Sequence, residues 1–362
     1  MPPDPPPGHE LAITTNPGLE DLAAAELGER LAERGLDPAA LERLPGALKG
    51  RLRVRHPAPF HELRAAAEAL RSAHHLLRPV VQFHLPAAQP LAAIEAAMWQ
   101  ADLGELAAGA SFRVSCDRHG EHPFTSPEVE RAAGAVLVAR YSAPVDLTGY
   151  AVHVRVDVAD NRCAVAVQLT RPALSHRFHR VFGPRVALKP NVAYACLRLA
   201  GVGPTTGRVL DPFCGSGTML AEAGWLAPSA ELWGMDRQER AVAGARNNLE
   251  AAGLGGRLHL QQGDARQLGD SYPSAHFDAI VTNPPFGARL GRSIRFADFY
   301  ADVLAAADRV LAEDGRLTLL AREHGALHRA LRRTGMFRVN QELRIETSKV
   351  YPAIYVLERR EF

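Results

Sequence analysis

Arg208-Val-Leu-Asp-Pro-Phe-Cys-Gly-Ser-Gly-Thr218 decides how this chain is read. Val209 and Leu210 predict a short strand ending at Asp211, and Met219, Leu220 and Ala223 predict a helix beginning near Thr218. Between them Gly215 and Gly217 let the backbone approach a ligand with no Cβ in the way. Asp211 separates this corner from its commoner relatives. An acid ahead of the glycines repels a pyrophosphate and suits an ammonium group, such as that of a methionine moiety. A dinucleotide loop ordinarily carries glycine there, and a nucleoside-triphosphate loop ends in Gly-Lys-Ser/Thr. Neither is present. Asp211, Phe213, Gly215, Gly217 and Thr218 are the first candidate cofactor contacts.

Working outward, Glu231 to Asp236 reads as a second strand ending in an acid. It lies about 20 residues past the loop, the spacing expected for an acid that binds ribose hydroxyls. A helix from Glu239 to Leu254 leads to a third strand, Leu258 to Gln262, closed by Gly263-Asp264-Ala265. Asp236 with Arg237, and Asp264 with Ala265, join the candidate set; an acid at the third strand end could accept from an adenine amino group. One strand-end aspartate is ordinarily a cap or turn residue. Three in succession at the carboxyl edge of one sheet mark the place where α/β folds bind ligands. The regular alternation of strands and helices from Val209 onward predicts a parallel sheet with helices on both faces.

Phe277-Asp-Ala-Ile-Val-Thr-Asn-Pro-Pro-Phe-Gly287 is a fourth strand running into Asn283-Pro284-Pro285-Phe286. Two prolines fix φ and deny the chain a helix, so the turn is rigid and extended. An exocyclic amino group on a nucleobase is a poor nucleophile, because its lone pair is delocalised into the ring. The Asn283 side-chain oxygen and the Pro284 carbonyl can accept its two N–H bonds and free that lone pair for attack on an electrophilic methyl. Phe286 offers a face for the base to stack on, as enzymes that flip bases need. Methylation at pyrimidine C5 would need a cysteine nucleophile near this turn, and none lies there; Cys214 sits in the glycine loop and reads as structural.

The first half lacks this alternation. Strands are predicted at Glu10 to Thr15, Arg51 to Arg55, Val80 to Leu85 and Ser111 to Cys116, with helices over Leu19 to Leu31, Pro59 to Leu77 and Pro90 to Met98. Ser126-Pro127-Glu128 is expected to cap a helix through Arg140. Val152 to Val158 and Cys163 to Leu169 flank a hairpin signal at Ala159-Asp160-Asn161-Arg162. The half is therefore α+β, joined to the second by a linker from Thr170 to Pro190. Hydrophobic content of 47% beside 23% charged residues supports packed cores. No apolar run reaches membrane-spanning length. The proline-rich start, Met1 to Glu10, lacks the basic and apolar regions of a signal peptide, so a disordered leader and the cytoplasm are expected. Cys116, Cys163, Cys196 and Cys214 are scattered and form no metal-binding pair, so no metal is expected. A net charge of +2 is too small to argue for or against nucleic acid.

Asp211 to Thr218 and Asn283 to Gly287 together closely resemble the class I, Rossmann-like amino-methyltransferases with an Asn-Pro-Pro-Tyr/Phe motif. Leu188-Lys-Pro-Asn-Val-Ala-Tyr-Ala195 resembles the segment of the RNA guanine-N2 enzymes that packs over the methionine end of the cofactor. That resemblance adds Lys189, Pro190 and Asn191 to the candidate cofactor contacts, and also Asn283. Phe112-Arg-Val, Phe124-Thr-Ser-Pro-Glu-Val, Gly134 and Val145-Asp146-Leu147 look like a THUMP domain. Thr14-Thr15-Asn16-Pro17-Gly18-Leu19-Glu20 looks like the ferredoxin-like element that accompanies it. The resemblance implies S-adenosyl-L-methionine as cofactor. The catalytic turn would then be Asn283, Pro284, Pro285 and Phe286, and the partner tRNA, bound at its acceptor end by a monomer. It divides the chain into a leader (1–9), a ferredoxin-like element (10–60), a THUMP domain (61–170), a linker with a helix (171–205) and a Rossmann-like methyltransferase domain (206–362). Within the guanine-N2 enzymes the architecture is most like those acting at tRNA position 6. Relatives acting at position 10 commonly begin the motif with aspartate, which Asn283 is not. Relatives mostly carry tyrosine where this chain has Phe286, so the stacking face is kept and a hydroxyl is lost. Guanine-N2 methylation of tRNA position 10 or of ribosomal RNA, adenine-N6 methylation of DNA, and a non-catalytic RNA-binding protein stay open as alternatives.

Overall fold

The computed structural model describes residues 8–45, 48–107, 109–177, 180–183, 187–285, 295–347 and 350–360. They form two units. The chain up to Thr15 combines with Glu20–Leu174 in the first, and Asn16–Leu19 combines with the chain from Ser175 onward in the second. Among the described residues no helix is long and apolar enough to cross a membrane.

The first unit is one sheet with helices. Its strands are β1 (His9–Thr14), β2 (Glu42–Arg43), β3 (Arg51–His56), β4 (His75–His84), β5 (Phe112–Ser115), β6 (Arg118–His119), β7 (Val152–Ala159) and β8 (Arg162–Gln168). Helices α1 (Glu20–Glu33), α2 (Phe60–Glu68), α3 (Pro90–Gln100) and α4 (Ser126–Tyr141) belong to the same unit. The order is β2-β3-β1-β4-β8-β7-β5, with β6 beside β7. Strand β4 pairs with both β1 and β8, so the sheet runs unbroken through residues 10–60 and 61–170.

Three expectations are corrected here. His9 belongs to β1, where it pairs with His56, and not to the expected leader. The helix expected over Pro59 to Leu77 ends at Glu68, and Leu77 instead pairs with Ala12 and Gln168. Ala69 is its C-cap, and beyond it Ser72 gives its N–H and hydroxyl to the buried Glu26 carboxylate at 3.0 and 2.5 Å. The sheet accommodates Pro79 within β4 at a register shift between Pro79 and Val81. Thr125, not Ser126, is the N-cap of α4, and Glu128 accepts its backbone N–H at 2.7 Å.

The second unit begins with α5 (Pro190–Leu199). There follow β9 (Arg208–Asp211), α6 (Thr218–Leu226), β10 (Glu231–Asp236), α7 (Glu239–Ala251), β11 (Leu258–Gln262), a single turn α8 (Leu268–Ser271), β12 (Phe277–Thr282), α9 (Phe296–Val310), β13 (Leu311–Ala321), α10 (His324–Thr334), β14 (Phe337–Arg344) and β15 (Ala353–Arg359). Its sheet runs β11-β10-β9-β12-β13-β15-β14. The first five strands are parallel, as expected, while β15 is antiparallel to both β13 and β14. The chain enters at β9, winds outward to β11 and crosses back to β12. The sheet therefore reverses direction between β9 and β12, and an α/β sheet opens its ligand crevice at that reversal. Leu210, Ile280, Leu317, Leu319, Tyr300 and Phe337 lie in the core beneath it. Burying each large side chain of this kind contributes about 1.5–3 kcal/mol.

Candidate active site

Parallel strands lie about 4.8 Å apart, so the order β11-β10-β9-β12 sets Asp264, Asp236, Asp211 and Asn283 in one row along the carboxyl edge. The glycine loop hangs from this row. Gly215 and Gly217 have φ of +52° and +81°, a left-handed conformation that costs a side chain about 1–2 kcal/mol. At Gly217 a Cβ would also come within 3.1 Å of the Leu249 side chain. Asp236 pins the loop from the next strand: one carboxylate oxygen accepts Gly215 N at 3.1 Å, the other Gln238 N at 2.9 Å. Thr218 is buried as the first residue of α6, which Gly217 caps.

Asp211 is only 2% exposed. Its Oδ1 accepts the Thr282 hydroxyl at 2.5 Å and Phe213 N at 3.1 Å. Burial pushes its carboxyl up to about 7; the two donors pull the other way, and the charge of Asp236 adds to the rise. Asp264 has the opposite environment. Arg266 grips it with a backbone N–H at 3.0 Å and a guanidinium at 3.0 and 2.6 Å, which holds it below the usual carboxylate range. Ala265 is buried beside it, and the exposed Arg237 reaches to 3.9 Å of Asp264. Both oxygens of Asp236, and Oδ2 of Asp264, retain acceptor capacity beyond these bonds.

At the end of β12 the Asn283-Pro284-Pro285 turn opens. Asn283 Oδ1 is buried and accepts nothing among the described residues. A buried acceptor left without a donor costs roughly 1–3 kcal/mol, which a ligand N–H would recover. Pro284 is buried and Pro285 half-buried; Phe286 and Gly287 lie outside the described residues. Helix α5 packs against α6, β12 and β13. Lys189 stands at its N-cap with an ammonium pKa lowered by burial, Pro190 fills the first turn, and Asn191 is wholly buried. Asn191 Nδ2 donates to Asn16 Oδ1 at 2.9 Å.

Sequence reading missed three residues that shape this edge. Thr282 ties β12 to Asp211. Asn248 on α7 is wholly buried; it accepts Phe182 N at 2.8 Å and donates to Phe182 O at 2.7 Å and to Ser216 O at 2.9 Å, so it braces the glycine loop from behind. Asn16, far away in the sequence, reaches α5. Only Thr282 had a readable signal, its place immediately before the turn at a strand end.

The expected architecture is matched by known proteins. Residues 177–352 match the RMKL-like methyltransferase domain, and residues 91–168 the THUMP domain. A tRNA (guanine(6)-N2)-methyltransferase of Thermus thermophilus is 40% identical over 350 residues, 96% of this chain and 99% of that one. Another, from Archaeoglobus fulgidus, is 27% identical over 63% of this chain and 65% of that one. The crystal structure of TrmN from Thermus thermophilus superposes with a TM-score of 0.78 at 39% identity, covering 97% of this chain and 99% of that one. Three acids and an unfilled acceptor in one row, on this fold and with these relatives, place the protein: the chain belongs to the family of THUMP-bearing, RMKL-like methyltransferases that includes the Thermus thermophilus enzyme.

Proposed function

We propose that this methyltransferase modifies the N2 amine of guanosine 6 in the acceptor stem of tRNA, acting as a monomer in the cytoplasm. The observation that carries the reading is the buried, unfilled Asn283 Oδ1 at the sheet's reversal point. The methyl source of the family is S-adenosyl-L-methionine, which supplies an electrophilic methyl on a sulfonium. The residues present fit it. Gly215 and Gly217 leave the close approach a Cβ would fill, Lys189, Pro190 and Asn191 flank the methionine end, and Asp211 and Phe213 close the loop beneath it. Asp236 with Arg237 takes the ribose hydroxyls, and Asp264 with Ala265 the adenine edge.

Asn283 Oδ1 and the Pro284 carbonyl accept the two N–H bonds of the guanine amine. Their pull moves the nitrogen toward tetrahedral geometry and localises its lone pair. Because Pro284 and Pro285 fix the backbone, these acceptors need no reorganisation when charge develops. Holding both reactants at one strand edge supplies the rest of the acceleration. No strong base is required, since the nitrogen becomes acidic once alkylated. Phe286 gives the flipped base a stacking face, and the THUMP half holds the acceptor end of the RNA. The full-length relation to guanine-6 enzymes supports the substrate, and so does asparagine at 283.

The test is methyl transfer from tritiated S-adenosyl-L-methionine to tRNA, ribosomal RNA, DNA and protein, followed by mapping of modified nucleosides. N2-methylguanosine at position 6 of tRNA is expected. Label in ribosomal RNA, in adenine, or at position 10 would overturn the substrate assignment, and transfer to nothing would favour an RNA-binding protein without catalysis.

A further inference from the structure

At the carboxyl ends of β9 and β12, beside the reversal point, Thr282 Oγ1 donates to Asp211 Oδ1 at 2.5 Å. Both residues are closed to solvent, at 0% and 2% exposure. The bond is not required by the sheet. The two strands already pair in parallel through Ala279 with Val209 and Ile280 with Leu210. It instead joins the last residue of β12, whose neighbour is Asn283, to the last residue of β9, where the glycine loop starts.

We propose that Thr282 is a positioning residue, whose hydroxyl locks the acid of the cofactor strand to the catalytic turn so that Asp211 and Asn283 are set at one fixed height. The groups around Asp211 show why a hydroxyl is needed there. Asp236 faces it from β10, Cys214 from the loop and Cys196 from α5. None of these carries positive charge. Among the described residues, Thr282 and the Phe213 amide are the donors that hold the carboxylate. Burial already pushes that carboxyl up to about 7; without the hydroxyl it rises further. Asp211 is then neutral at physiological pH, where a cationic methionine end needs it ionised. The inference rests on the site reading given above, but on donor binding alone and not on the identity of the RNA.

Thr282→Val keeps the shape and removes the hydroxyl; Thr282→Ser keeps the hydroxyl. Donor affinity, measured by titration calorimetry with S-adenosylhomocysteine across pH 6 to 9, is expected to tighten as pH rises through the Asp211 pKa. In Thr282→Val the half-point moves to higher pH and binding at neutral pH weakens by about ten-fold or more, as expected for losing a hydrogen bond to a charged group. Turnover at saturating donor falls as well, because Asn283 loses its anchor. Thr282→Ser restores both. A valine variant with the parental pH profile overturns the proposal, as does a serine variant that behaves like valine. Should Thr282→Val fail to fold, Thr282→Ala and Thr282→Ser are compared in the same way, with the same two overturning results. Calorimetry needs no RNA, so an error in the substrate assignment leaves this test intact.

Discussion

Among the described residues no donor reaches the Oδ1 atom of Asn283, and in the proposed reaction that acceptor takes an N–H of the guanine amine. Asn283→Ala removes the acceptor but leaves the glycine loop and its three acids in place. Turnover should fall by about 10²–10³-fold, as when one preorganised dipole is removed from an active site, while the donor dissociation constant changes little. Single-turnover kinetics beside calorimetry separates the two, and normal turnover would mean the mechanism is wrong. Asp211 makes a second residue-level prediction. Its carboxyl, near 4 in an unfolded chain, is pushed up to about 7 in the fold. An acid raised by folding contributes stability that is complete below its unfolded pKa and lost as pH climbs through the folded one. The donor-free protein therefore loses stability through this residue between about pH 4 and pH 7. Asp211→Asn abolishes that titration, so its melting temperature should gain on the parent's as pH rises over this range. Curves that stay parallel would show that the carboxyl is not held as described.

At the scale of elements, helix α7 has a hollow at Gly244 into which the Phe182 ring fits; a Cβ there would lie 2.2 Å from Phe182 Cδ1. Gly244→Ala should expel the ring and break the Phe182–Asn248 pairing that holds residues 180–183 to the helix. The expected readout is faster trypsin cleavage after Arg180, with the melting of the second unit little changed; unchanged cleavage rates would show that the ring finds another seat. Such elements also show what a sequence reveals and what it conceals. The strands Glu231–Asp236 and Leu258–Gln262 were legible to the residue, because apolar alternation and a terminal acid are local signals. The turn at Asn283 was legible because proline acts on its own neighbours. The bond from Thr282 to Asp211 spans 71 residues and that from Asn248 to Ser216 spans 32, and no local pattern encodes which polar side chains will meet. Strand β14 went unread for a related reason. Its burial pattern along Phe337–Arg344 is mostly exposed, so the strand lacks the apolar run that announced the others.

For the whole molecule, the division of the chain into units does not follow its order. Asn16–Leu19 lies between β1 and α1 yet belongs with the methyltransferase unit. Its attachment is specific. Asn16 Nδ2 donates to Glu346 O at 2.7 Å, Asn16 Oδ1 accepts Asn191 Nδ2 at 2.9 Å, and Glu346 N donates to Pro17 O at 2.9 Å. Gly18 is required for the fit, with φ of +96° and a Cβ position 2.2 Å from Arg344 O. A sequence that resembles part of an RNA-binding element thus completes the wall behind Asn191, at the start of the helix assigned to the methionine end. Asn16→Ala removes the side-chain bonds to Glu346 and Asn191 and leaves the backbone one. At about 1 kcal/mol for each net bond, and more where a group is left buried without a partner, the loss is about 2–4 kcal/mol. A unit of this size shifts by about 2–4 °C per kcal/mol, so the methyltransferase transition should melt several degrees lower, on the order of 10 °C. Donor affinity should fall with it, because Asn191 loses the acceptor that orients its amide. Calorimetric melting with and without S-adenosylhomocysteine reads both effects. A variant that melts with the parent and binds as tightly would mean that the segment only rests on the unit, and that α5 keeps its geometry without it.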